Sequence, residues 1–261
     1  MPYIKARKGI NIFYRCAGEG EAVLFLHGFA LDSSLWQPQL DALSKGLRTI
    51  AIDLPGHGRS GWKSNFTDLA DLAKQLLSLY AALNISRPHI VAHSFSGLIA
   101  LKLAATYPQA LNKLVLVCAA PKFIKNKGFP AKLTMRELEK LEGLVKNHYP
   151  GIVPVFIRSL FTQKEKLDGF KLKQRYLPRK AALINFLGLI RNQDLRAQLH
   201  KIRAQTMIIG ADSDSIAGDY PAKILHKGIS NSRLKIFCAC GHLPSLAREK
   251  EFSSTLKAFL R

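Results

Sequence analysis

"VAHSFSGLIA", residues 91–100, decides how this chain is read: an apolar run ends in a histidine, a serine follows, and helical spacing begins. A very tight strand-to-helix turn needs small residues on either side of its central serine, because bulky neighbours would clash there. Ala92 and Ser96 meet that need around Ser94, at positions where glycine is commoner. Centred on Ser96, the pattern would have Ser94 and bulky Leu98 as flanks, so Ser94 fits the turn better. Ser94 is therefore a candidate nucleophile, set against the plainer reading of a small polar residue at a strand end.

Working outward, strands and helices alternate on both sides of this turn. "YIKARKGINIFYRCAG" reads as two strands around Lys8-Gly9, a hairpin at a sheet edge. "EAVLFLHG" and "LRTIAIDLPGHGRSG" read as buried parallel strands that end in glycine-containing loops. "SSLWQPQLDALSKG" has helical spacing through Leu35, Leu40 and Leu43 and stops at Gly46. Residues 67–83 repeat apolar positions every three to four, with Thr67 as the N-cap. Strand "RPHIVAH", a helix over 95–106 and strand "LNKLVLVCA" follow.

Beyond Pro121 the rhythm changes. Residues 121–200 carry helical patches, many lysines and prolines at 121, 130, 150, 154 and 178, without a clear buried strand. Alternation resumes with "QTMIIGAD", a helix around 220–228, strand "RLKIFCAC" and a terminal helix over 246–260. This order predicts an α/β fold, a mostly parallel sheet with helices on both faces. Residues 1–120 and 201–261 form the core domain, and 121–200 form a helical cap insertion over the sheet's carboxyl edge.

The bulk numbers narrow the classes. With 48% hydrophobic residues in 261, the chain must bury a core and is not disordered. No apolar run approaches the roughly 20 residues of a membrane-spanning helix. The start, "MPYIKARKGINIFYR", lacks a signal peptide's apolar stretch and cleavage site, which points to the cytoplasm. Cys16, Cys118, Cys238 and Cys240 lack a partner set at zinc spacing and read as reduced thiols, so no metal is expected.

The net charge of +21 is less ordinary. Residues 121–190 hold fifteen Lys/Arg against five Asp/Glu, so positive charge gathers in the insertion. Either this is a solvated basic face, or it meets an acidic macromolecule or an anionic surface. No nucleic-acid motif or aromatic–basic platform accompanies the charge.

Three further stretches bear on Ser94. In "LHGFALDSSLW", His27-Gly28 can turn the backbone so that the Phe29 N–H points at a reacting oxygen. "IDLPGHGRS" closes the next strand, where His57, like His27, reads as a structural hydrogen-bonder. "CGHLPSL" sets His242 just after the last predicted strand, where a serine's base would stand. His93 reads as a tolerant position beside the nucleophile, and His89, His148, His200 and His226 have no identifiable partners.

Together these motifs resemble the α/β-hydrolase superfamily over nearly the whole chain. The resemblance implies the order serine, acid, histidine, with an aspartate three residues after the glycine of the penultimate strand. That position is Ser213, flanked by Asp212 and Asp214 in "GADSDSIAGDYPAKIL". The stretch aligns best with one residue inserted and Asp214 as the acid; Asp212 is the alternative, and Asp219 reads as a helix N-cap. The implied site is Ser94, Asp214 and His242, with the Phe29 and Phe95 backbone N–H groups as the oxyanion hole. A serine at the turn argues against the dehalogenases and epoxide hydrolases of this fold, which carry aspartate there.

Within the superfamily, "VCAAPKFIKNKGFPAKL", "VFIRSLFTQ" and "NFLGLIRNQDLRAQLHKIRAQTMIIG" resemble the pimeloyl-[acyl-carrier protein] methyl ester esterases of biotin synthesis. In the return segment the matching residues are Leu187, Ile190, Asp194, Leu195 and Arg196. Two features depart from that family: His-Ser-Phe-Ser replaces its usual Gly-Trp-Ser-Leu-Gly, and the acid is shifted. The resemblance implies a monomeric esterase without cofactor, acting on an acyl ester bound by Ile157, Arg158, Ser159, Leu160 and Phe161. It further implies an acidic acyl-carrier protein as partner, met by Arg158, Lys164, Lys166, Lys171, Lys173 and Arg175. A generic short-chain carboxylesterase, or a carbon–carbon bond lyase or hydrolase of the same fold, is the alternative. A non-catalytic binding module fits the serine and histidine motifs poorly.

Overall fold

The structure, a computed structural model, describes residues 2–167 and 176–261. Its centre follows from two-residue alternation in runs that are apolar throughout, which gives each strand two buried faces. In β3 (Ala22–Leu26), Leu24 and Leu26 enter one core layer while Val23 and Phe25 enter the other. β5 (His89–His93) and β6 (Lys113–Val117) divide likewise, with Ile90, Ala92, Leu114 and Leu116 on the first face and Val91, Val115 and Val117 on the second. Each such Leu, Ile or Val contributes about 1.5–3 kcal/mol by leaving water.

The sheet has eight strands in the order β1-β2-β4-β3-β5-β6-β7-β8. β1 (Tyr3–Lys5) and β2 (Asn11–Ala17) make the predicted edge hairpin, with Tyr3 opposite Phe13. β2 also pairs antiparallel with β4 (Arg48–Ile52), and every other pairing is parallel, out to β7 (Gln205–Ala211) and β8 (Ser232–Phe237). The first face is covered by α2 (Leu69–Ala82), α3 (Phe95–Thr106) and α8 (Tyr220–Gly228); the second by α1 (Gln37–Leu43) and α10 (Glu249–Leu260). Short α9 (Pro244–Ala247) leads into α10.

Between β6 and β7 lie α4 (Met135–His148), α5 (Ile152–Ser159), α6 (Gln163–Leu167) and α7 (Lys180–Asn192). Thr134 opens α4 with a capping box, its hydroxyl accepting the Glu137 N–H while Glu137 accepts from the Thr134 N–H. Among the described residues of this segment only isolated bridges occur, Ile124 with Leu133 and Asn126 with Phe129. No helix among the described residues is long and apolar enough to cross a membrane.

One helix start differs from the sequence reading, and a second keeps its expected residue without a capping bond. α2 is capped by Asp68, not Thr67: Asp68 is extended, and its carboxylate accepts the Asp71 N–H at 2.8 Å. Asp219 does stand at the N-cap of α8, but its side chain makes no capping bond and pairs with Lys223 at 2.5 Å instead. Removing the Asp68 acceptor leaves a first-turn donor open. Asp68→Ala should lower stability by about 1 kcal/mol, seen as a melting temperature about 2–4 °C lower.

Candidate active site

The site starts from one strained residue. β5 ends at His93 and α3 begins at Phe95, leaving Ser94 alone to reverse the chain at φ 53°, ψ −119°. A positive φ is uncommon for a non-glycine residue and is sustained only where surroundings enforce it. Here the Ser94 N–H donates to the Val117 carbonyl at 2.8 Å, and its own carbonyl accepts from the Gly97 N–H at 2.8 Å. Ser96, fully buried, donates its hydroxyl to the His27 carbonyl and so fastens the first turn of α3 to the end of β3.

Ser94 Oγ lies 2.8 Å from His242 Nε2, and His242 Nδ1 lies 2.8 Å from Asp214 Oδ2. Burial alone would raise the Asp214 carboxyl. The His242 charge, its hydrogen bond and the backbone N–H groups of Ala217 and Ile216 outweigh that and hold it below its ordinary value. Asp214 is therefore ionised and can only accept, so Nδ1 carries the proton and Nε2 is left to accept from the serine. The other carboxylate oxygen is satisfied too, by the N–H groups of Ile216 (2.7 Å) and Ala217 (3.0 Å). Asp212 is exposed, and its carboxylate accepts from the Ser213 hydroxyl and the Cys240 N–H, not from His242.

Phe29 and Phe95 flank Ser94. Phe95 opens α3, where first-turn N–H groups have no intrahelical partner. Phe29 follows Gly28, whose hydrogen-only side chain lets the loop press against the turn. A Cβ on Gly28 would lie 2.6 Å from His93 Nδ1 and 3.1 Å from Ser94 Cβ.

These residues open on an apolar cavity lined by Phe29, Phe95, Phe123, Leu133, Leu138, Phe156, Leu160, Leu187 and Ile190, with Ser94 and His242 in its wall. Among the described lining residues none is Lys, Arg, Asp or Glu. Of the five expected substrate contacts, Leu160 reaches this cavity. Ile157 packs against both core layers and Phe161 is buried in one, while Arg158 and Ser159 are exposed. Of the expected carrier contacts, Arg158 and Lys164 are exposed on α5 and α6. Lys171, Lys173, Arg175 and the Lys166 side chain lie outside the described residues.

Several neighbours carry more than the sequence reading gave them. His93 is fully buried against the His242 ring, centroids 4.8 Å apart, and its Nε2–H donates to the His242 carbonyl at 2.8 Å. Burial, with the adjacent His242, lowers its pKa to about 3, so the ring is neutral. No signal in the sequence separates it from a tolerant position beside the serine. His27 and His57 do make structural bonds: His27 accepts the Leu54 N–H at 2.9 Å, and His57 bonds the Pro55 carbonyl at 3.1 Å. His89 has partners after all, Glu21 and the Lys113 N–H, and His226 bonds Ser232.

Ligand atoms of Cys118, Asp214 and His242 lie within 4.8 Å of one another. Burial and then the Asp214 charge push the Cys118 thiol well above its ordinary value, so it stays protonated. With Asp214 and His242 already bonded to each other, the cluster is built for hydrogen bonding rather than ligation.

Comparison with known proteins agrees with this architecture. The family described as "alpha/beta hydrolase fold" matches residues 21–248. The pimeloyl-[acyl-carrier protein] methyl ester esterase of Nitrosomonas europaea is 26% identical over 255 residues, covering 95% of this chain and 99% of that protein. An AB hydrolase superfamily protein of Bacillus subtilis, YisY, is 28% identical and covers 98% of each chain. Among solved structures, the esterase EaEST of Exiguobacterium antarcticum superposes with a TM-score of 0.89 at 26% identity, covering 98% of each chain.

The buried neutral His93 sets an acid limit on stability. Its folded pKa, about 3, lies below the unfolded value near 6.5, so between these the unfolded chain binds the extra proton. Stability therefore falls as pH drops from about 6.5 toward 3. His93→Gln should flatten this slope in denaturant melts by up to about 1.4 kcal/mol per pH unit; an unchanged slope would mean His93 is not buried neutral.

Proposed function

The chain belongs to the α/β-hydrolase fold family, and from that premise we propose that it is a serine carboxylesterase cleaving the methyl ester of a pimeloyl-[acyl-carrier protein]. The observation that carries this reading is the hydrogen-bonded chain Ser94–His242–Asp214 in the wall of an apolar cavity. Ser94 Oγ attacks the ester carbonyl carbon as its proton passes to His242 Nε2. Asp214 steadies the imidazolium through Nδ1–H, and the N–H groups of Phe29 and Phe95 receive the oxyanion. Losing one such donor costs about 10²–10³ in rate. As the tetrahedral species collapses, His242 returns the proton to the alkoxy oxygen and methanol departs. A water then gives a proton to His242 and attacks the acyl-serine; as that tetrahedral species collapses, His242 returns the proton to Ser94 Oγ and the free acid leaves.

The segment 121–200 acts as the cap. Its apolar lining selects an uncharged chain, as a run of methylenes ending in an ester is. The same lining counts against carbon–carbon bond lyases or hydrolases with anionic substrates, since no cation among the described residues faces the cavity. Among the described residues Arg158 and Lys164 are exposed on cap helices, where an acidic carrier and the phosphate of its prosthetic arm would arrive.

Two experiments test the reading. Ser94→Ala should remove hydrolysis while the melting temperature stays near wild type. Asp214→Asn should lower kcat by up to about 10⁴ with KM little changed, whereas Asp212→Asn should stay close to wild type. Retained activity in Ser94→Ala, or the reverse order of the two aspartates, would reject the assignment.

For the carrier, kcat/KM should be followed for methyl pimeloyl-carrier protein beside p-nitrophenyl butyrate. Reversing charge at Arg158 and Lys164 should weaken the first and leave the second nearly unchanged. Salt should erase the difference, as the Debye length falls from about 10 Å at 0.1 M to about 3 Å at 1 M. A constant ratio at low salt would leave a generic short-chain carboxylesterase.

A further inference from the structure

We propose that Glu165, on the cap helix α6, is a positioning residue that holds the loop bearing His242, an inference that rests on the esterase reading above. Glu165 is 6% exposed and is not among the residues that line the cavity. Its Oε1 accepts the Gly241 N–H at 2.9 Å and its Oε2 accepts the Thr162 N–H at 2.6 Å. Among the described residues no lysine or arginine pairs with it. A buried carboxylate without a cation is costly unless hydrogen bonds satisfy it. One of the donors that does so belongs to the residue immediately before the base.

The fit is close on both sides. A Cβ on Gly241 would lie 2.7 Å from Glu165 Oε2 and 2.9 Å from the Leu160 carbonyl, so only glycine lets the loop approach α6 this nearly. The next peptide is held by the same stretch of cap, the His242 N–H donating to the Leu160 carbonyl at 2.9 Å. The acid loop is tied to the cap as well. The Ser215 hydroxyl donates to the Ser159 carbonyl at 3.1 Å, and Lys132 Nζ donates to the Asp214 carbonyl at 2.6 Å. Burial and the Glu165 charge push the neighbouring Cys240 thiol up to about 12, keeping it protonated beside the carboxylate. Docking of residues 159–165 and alignment of the base are thus one event.

A purely structural glutamate, serving only as the end of a capping box with Thr162, would affect folding but not turnover per folded site. The test is steady-state kinetics on p-nitrophenyl butyrate, with active sites titrated by a fluorophosphonate and folding followed by thermal melt. Glu165→Ala leaves the Gly241 donor buried and unpaired. It should lower kcat per titrated site about 10- to 100-fold, with KM nearly unchanged. Glu165→Gln keeps one acceptor and should fall between Ala and wild type. Should the Glu165 variants fail to fold, Gly241→Ala displaces the carboxylate from the other side and should show the same kcat loss. Wild-type kcat per titrated site in these variants, or a rise in KM alone, would overturn the proposal. A wild-type enzyme whose Ser94 takes no label, with Ser94→Ala still active, would overturn the esterase reading itself. Failure of the clamp alone would leave Ser94 labelled and indispensable.

Discussion

The structure turns on the left-handed backbone of Ser94. A serine at φ 53° costs of order 1–3 kcal/mol relative to a relaxed conformation, so its surroundings must over-determine it. Three strands share that task. β6 supplies the Val117 carbonyl to the Ser94 N–H, the residue just past β3 supplies the His27 carbonyl to the Ser96 hydroxyl, and β5 delivers the chain. Their parallel register, with Ala92 beside Leu26 and Leu116, brings the carboxyl ends of all three to one line. The apolar alternation that builds two core layers is therefore what makes the strained turn affordable.

From that turn the polar chain runs through an apolar setting, where an unpaired group would cost more than in water. Each link is satisfied in sequence. Ser94 meets Nε2, Nδ1 meets Asp214, and the second Asp214 oxygen meets the N–H groups of Ile216 and Ala217. That order, ending on the ionised Asp214, fixes the imidazole tautomer. His93 supports the chain from behind by bonding the His242 carbonyl, and it can do so only because Gly28 leaves its ring room.

What could be read from the sequence follows from which signals are local. Strand periodicity, the small residues around Ser94 and the loop placing of His242 are short-range features, and each names its element directly. The choice between Asp214 and Asp212 is longer-ranged. It depends on the β7 turn, which sends Asp214 inward and leaves Asp212 in water, and a one-residue offset in the alignment could not decide it alone. The bonds of His93 to His242 and of Glu165 to Gly241 leave no trace in the sequence, because each reaches the backbone of a loop more than 70 residues away; only the pairing of Glu165 with Thr162 is local. Thr67 and Asp68 are both good caps by type, and only the extended conformation of Asp68 selects between them.

The helices between β6 and β7 add a constraint that the sheet alone does not impose. The cavity walls (Leu138, Phe156 and Leu160) and the groups that grip the His242 and Asp214 loops (Leu160, Glu165 and Lys132) come from the same inserted segment. Leu160 does both, its side chain facing the cavity while its carbonyl accepts the His242 N–H. A change in that segment that reshapes the cavity therefore acts on the Ser94–His242–Asp214 chain through the same few residues. Arg158, two residues from Leu160, is exposed. An exposed charge, a cavity wall and the backbone support of His242 are thus carried by neighbouring positions on one short stretch, each facing a different way.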